Sequence, residues 1–118
     1  MALKISTRQA GGVTVVSCSG RIVFGEEAAQ LRELVKGLLQ REKQIVIDLG
    51  GVSYIDSGGL GTLVGLYTSA RNFGGEIKLA KLTQRVRDQL QITKLITVFD
   101  CYESEQAAVN AFAHRATA

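Results

Sequence analysis

The run Ile45-Val46-Ile47-Asp48-Leu49 constrains this chain more than any other stretch. A strand with one wet face alternates apolar and polar residues. This run is apolar but for Asp48 and dominated by β-branched side chains, so it must be covered on both faces. That is the situation of a central strand in a parallel sheet between helices. Parallel neighbours need crossover connections, usually helical and almost always right-handed, and the flanking segments read that way.

Before it, Ala28, Leu31, Leu34, Val35, Leu38 and Leu39 recur at helical spacing behind Glu26 and Glu27. Carboxylates in a first turn suit the positive end of the helix dipole. Gly37 weakens this helix and suggests a close contact there. After the run, Gly50-Gly51 reads as the strand's end and residues 52–57 as a connecting loop. A second helix then runs from Ser57 to Phe73, with one apolar stripe of Leu60, Leu63, Val64 and Tyr67 and another of Leu66, Ala70 and Phe73. Gly74-Gly75 ends it.

The N-terminal segment alternates Leu3, Ile5 and Thr7 with Lys4, Ser6 and Arg8, turns at Ala10-Gly11-Gly12, and returns through the β-branched stretch beginning at Val13. This predicts an antiparallel hairpin. Downstream, Glu76–Ala80 reads as a strand, and Thr83 as the cap of a short helix through Leu90. Ile92, Leu95 and Ile96 read as apolar anchors, Val98–Tyr102 as a last strand, and Ser104 as the cap of a final helix facing inward through Ala108, Val109 and Phe112. The tail from Arg115 is expected to fray. The order predicts an α/β fold, in one domain spanning residues 1–118: a mixed, mainly parallel sheet with an N-terminal antiparallel hairpin and about four helices.

Composition narrows function. A net charge of +3, from 14 Lys and Arg against 11 Asp and Glu, is small and scattered. Arg85 and Arg87 are its nearest approach to a cluster, far from the stripe a nucleic-acid site requires. No apolar stretch approaches the ~20 residues of a membrane helix. The N-terminus lacks a signal-peptide layout, so the cytoplasm is the expected location. Cys18 and Cys101 fall in strand-like runs without metal-ligand spacing and read as buried small hydrophobes, with no metal and no cofactor. The sole histidine, His114, reads as helix-end decoration.

The chemistry converges on Tyr54-Ile55-Asp56-Ser57-Gly58-Gly59-Leu60-Gly61. Strand, turn, serine and helix in succession resemble a nucleophile elbow, but that motif requires G-x-S-x-G, and Ile55 stands two before Ser57. The glycines fit neither G-x-G-x-x-G nor a P-loop. A serine opening a helix can cap it or be offered to another protein. As a phosphoacceptor it would gain roughly −1.5 to −2 charges, which a helix start tolerates while Asp56 repels them. A partner packed over a neutral hydroxyl would have to desolvate that charge.

Asp56-Ser57-Gly58-Gly59-Leu60-Gly61, set after the apolar strand, resembles the signature of STAS domains, the family of anti-sigma factor antagonists and related domains of sulfate transporters. The resemblance extends to Gly20, to Ala28 and Leu31, to Gly74-Gly75-Glu76, and to Ile92-Thr93-Lys94-Leu95. It implies a binding protein, not an enzyme. Ser57 would be phosphorylated by an anti-sigma factor that is a serine kinase and restored by a serine phosphatase. The unmodified form would sequester the anti-sigma factor and so promote transcription. Asp56, Gly58, Gly59 and Leu60 would rim the docking surface, with Arg21, Val23 and Phe24 contributing from the end of the second strand. Two positions depart from the family. Val23 stands where many antagonists carry an acidic residue, and Gly58 replaces a serine, threonine or alanine. The alternatives are a STAS scaffold subunit of a transport or sensor complex in which Ser57 only caps its helix, and an anion-binding module using the helix start.

Overall fold

The computed structural model describes the backbone of residues 3–116 and the side chains of residues 3–112. The elements run β1 (Lys4–Ala10), β2 (Val13–Ile22), α1 (Glu26–Leu38), β3 (Gln44–Ile55), α2 (Ser57–Asn72), β4 (Glu76–Ala80), α3 (Gln84–Ile92), a 3-10 turn (Leu95–Thr97), β5 (Cys101–Tyr102) and α4 (Glu105–Ala116). The strands lie side by side in chain order. β1 is antiparallel to β2, and every other pair is parallel. This is the mixed α/β sheet that the sequence predicts.

The pleat explains the continuous apolar run. Ile45, Ile47 and Leu49 point into the main core with Leu31 and Val35 of α1, Leu63 and Leu66 of α2, and Val86 and Leu90 of α3. Val46, between them, points to the other face and packs with Val13, Val15 and Ala80 against Ala108, Val109 and Phe112 of α4. Covering both faces is what requires apolar side chains at successive positions. The α4 layer also takes in Lys78. Its ammonium is buried and donates to Asp100 Oδ2 at 3.0 Å and Glu76 Oε2 at 3.1 Å, with the Phe112 ring centroid 4.9 Å away.

Helix boundaries follow the sequence signals. Thr83 Oγ1 accepts from Val86 N–H at 3.3 Å, and Ser104 Oγ from Ala107 N–H at 3.0 Å. Gly74 takes the left-handed conformation, φ 79°, and Gly75 N–H donates to Ala70 O at 2.7 Å, closing α2.

Four expectations are corrected. β3 does not end at Gly50-Gly51 but continues to Ile55 beside β2, with register shifts around Ser17/Ser19 and Gly20/Arg21. Here glycine marks a bulge and not a stop: a Cβ on Gly51 would meet the Cys18 carbonyl oxygen at 2.9 Å. The last strand shrinks to Cys101–Tyr102, because the chain before it winds into the 3-10 turn and drops Phe99 into the core. Ile92 is 75% exposed and anchors nothing, whereas Leu95 and Ile96 do pack against the core. Gly37 marks no close contact.

Cys18 is buried, and burial, aided by the Asp48 charge, pushes its thiol up to about 12. A fifth expectation is corrected at Cys101, which lies in the edge strand and is only half-buried, not buried. The His114 side chain, Met1 and Ala2, and the last two residues of the tail lie outside the described residues.

Candidate functional site

The extension of β2 and β3 past their glycines carries two paired rungs, Arg21 with Tyr54 and Ile22 with Ile55, to the point where α2 begins. Ile55 is buried, the chain emerges at Asp56, and Ser57 is the first residue of the helix, with its side chain exposed.

Ser57 does not cap α2, contrary to the capping alternative. Asp56 does: its backbone is extended and its Oδ1 accepts from Gly59 N–H at 2.8 Å. Both residue types suit an N-cap, and the register of the chain leaving β3 decides between them. The same carboxylate reaches across to the β2–α1 connection, where Phe24 N–H donates to both of its oxygens at 3.1 Å. Burial alone would raise the Asp56 carboxyl. The backbone N–H groups of Gly59, Phe24 and Gly58 outweigh it and hold the group below its usual range. Asp56 therefore fastens two segments together and is itself the anion at this helix start. The capping amide of Gly59 thus already has its carboxylate.

The two glycines after Ser57 have internal causes. A Cβ on Gly58 would meet Phe24 Cβ at 2.5 Å, and one on Gly59 would run into the Ile22 carbonyl oxygen. The bare backbone at Gly58 is thus matched to Phe24, whose side chain packs onto it. Phe24 itself is 82% exposed.

Of the residues expected on a docking surface, Arg21, Phe24 and Ser57 are exposed, and Val23, Asp56 and Gly58 are partly so. Gly59 and Leu60 are buried, so they hold the helix start in place and offer no surface. Two residues not assigned to this surface from the sequence, Tyr54 and Arg85, lie beside it. Tyr54 lies under the Arg21 guanidinium at 5.6 Å and the Arg85 guanidinium at 5.7 Å, which places two cations at the same end of the sheet. The Arg85–Arg87 pair was visible in the sequence, but the fold was needed to bring it beside β3. Among the described residues, no group of three or more His, Cys, Asp or Glu could hold a metal ion, and no helix is long and apolar enough to cross a membrane.

The sequence from residue 4 to 108 matches the STAS domain. The chain belongs to the STAS family. Among its STAS relatives, the anti-sigma-B factor antagonist of Bacillus subtilis is 31% identical over 110 residues, covering 92% of this chain and 99% of that one. The crystal structure of an anti-sigma factor antagonist from Mycobacterium paratuberculosis superposes with a TM-score of 0.81 at 25% identity, over 93% of each chain. The Bacillus cell fate determinant SpoIIAA, solved in its phosphorylated form, shares the fold with a TM-score of 0.72 at 17% identity, over 92% of this chain and 99% of that one.

Proposed function

We propose that this protein is an anti-sigma factor antagonist switched at Ser57. Unmodified, it binds an anti-sigma factor that is also a serine kinase, and so frees a sigma factor for transcription. Phosphorylation of Ser57 by that kinase ends the complex, and a serine phosphatase restores it. The protein acts as substrate and binder, not as catalyst. The observation that carries this reading is the exposed Ser57 hydroxyl at the first position of α2, relieved of capping by Asp56. A relative named anti-sigma-B factor antagonist, and a structural neighbour known in a phosphorylated form, support it.

The physics of the switch is local. Asp56 stays anionic and already takes the Gly59 amide. A phosphate on Ser57 would project outward beside a like charge, so the fold need not change around it. A partner packed over the site would have to desolvate a near-dianion, at a cost of several kcal/mol. About 1.4 kcal/mol is tenfold in affinity, so that cost empties a micromolar complex. The test is incubation with the anti-sigma factor kinases of the source organism and ATP, followed by peptide mass spectrometry. One phosphate on Ser57 is expected, and none in Ser57→Ala. Phosphate elsewhere, or no phosphate with any of these kinases, overturns the reading.

A further inference from the structure

An open groove of about 580 Å³ runs between α1 and α2, beginning beside Phe24 and Gly58 and ending near Lys36 and Ser69. Its entrance carries the most exposed large hydrophobic side chain among the described residues, Phe24, whose backbone is fixed by Asp56. The charged side chains along it are Arg32 and Lys36, both cationic and neither in an ion pair among the described residues. Glu26, Glu27 and Glu33 of α1 lie outside it.

The α2 wall adds an independent point. Gly58 and Gly59 are demanded by contacts within the fold, but Gly61 and Gly65 are not: a Cβ on either would meet nothing within 4 Å. A glycine inside a helix is less stable than alanine. Nothing internal recovers that loss, and both glycines line the groove.

We propose that this groove receives an acidic amphipathic helix of the anti-sigma factor partner. The inference rests on the partner reading above and extends it from Ser57 along α2. The apolar ridge of the incoming helix lies on the bare backbone at Gly61 and Gly65 and abuts Phe24, and its carboxylates meet Arg32 and Lys36. The groove spans about 16 Å along α2, roughly three helical turns. A helix fits because the groove walls are helices with their backbones already paired. An extended segment would find no edge to pair with and would leave its own amides unsatisfied. A second copy of this chain is disfavoured by charge, because pairing like grooves about a two-fold axis sets Arg32 and Lys36 against themselves.

The experiment titrates the purified anti-sigma factor kinases of the source organism against four chains by calorimetry: wild type, Gly61→Ala/Gly65→Ala, Arg32→Glu/Lys36→Glu and Ser57→Asp. The double alanine variant should melt higher than wild type yet bind the kinase at least tenfold more weakly, which separates lost docking from lost folding. The charge-reversed variant should also lose at least tenfold, by a margin that shrinks as salt rises. Wild-type affinity in both groove variants, with binding lost in Ser57→Asp, overturns the groove and leaves the switch standing. Groove variants that weaken while Ser57→Asp binds normally keep the groove and overturn the switch. A wild-type chain that binds none of these kinases overturns both. Self-association of the wild type that disappears in the charge-reversed variant assigns the groove to a second copy and overturns the proposal.

Discussion

Replacing Asp56 by alanine tests the construction of the site. The substitution removes the N-cap of α2, a loss of about 1 kcal/mol. It also removes the acceptor of the Phe24 N–H, worth roughly 1 kcal/mol at most in a place water can reach. The sum is about 1.5–2 kcal/mol at neutral pH. For a chain of this length that lowers the melting temperature by roughly 5–8 °C. The pH dependence follows from the lowered Asp56 carboxyl. A group held lower in the folded than in the unfolded state contributes stability that is present above its unfolded value, about 3.9, and is lost as pH falls through the folded value. Wild type and Asp56→Ala should therefore differ most at pH 6–7 and converge in acid. Asp56→Asn keeps an acceptor and should lose less at pH 7. Urea denaturation at a series of pH values measures all three. Equal stability of wild type and Asp56→Ala at pH 7, or a gap that widens in acid, would refute the assignment of Asp56 as cap and clasp.

Ser57→Ala should change stability by no more than about 0.5 kcal/mol, because an exposed side chain that caps nothing has little to lose; a drop above 1 kcal/mol would return the cap to Ser57. Gly59→Ala should cost on the order of 3 kcal/mol by forcing a methyl into the Ile22 carbonyl, and a variant as stable as wild type would contradict the close approach of β2 to α2. Burial alone would depress the Lys78 ammonium, but its hydrogen bonds to Asp100 and Glu76 outweigh that and raise it. Its contribution is therefore complete below its unfolded value of about 10.4 and lost as pH rises through the folded value. Thermal melts of wild type and Lys78→Met should show the wild type losing its pH-specific advantage only above about pH 10.5, and an advantage already lost at pH 8 would contradict the buried pairing.

Much of the fold was legible because periodicity and punctuation agreed. The unbroken run Ile45–Leu49 required cover on both faces, and Val46 pointing to α4 between Ile45 and Ile47 pointing to α1 and α2 is that cover. Thr83, Ser104 and Gly74 marked helix ends by their side-chain chemistry or backbone freedom. Gly50-Gly51 misled because a glycine pair reads alike as a stop and as a bulge. Only the neighbouring strand, with the Cys18 carbonyl pressed against Gly51, decides which it is. The motif at 56–61 located the site, but its internal division of labour was hidden. Asp56 and Ser57 are both good caps, and which of them turns inward depends on how β3 leaves the sheet. Gly59 and Leu60 belong to the same motif as Ser57 yet are buried, because successive residues of a helix point in different directions. Arg85 reached Tyr54 through tertiary folding alone, beyond the view of any local pattern.

The central claim is that another protein distinguishes a neutral from a phosphorylated Ser57. It is tested most directly by titrating one anti-sigma factor kinase, without ATP, with the unmodified chain and with the same chain quantitatively phosphorylated at Ser57. The account predicts that the unmodified chain binds and that the phosphorylated chain, still folded by circular dichroism, binds at least a hundredfold more weakly. Equal affinities for the two forms would contradict it.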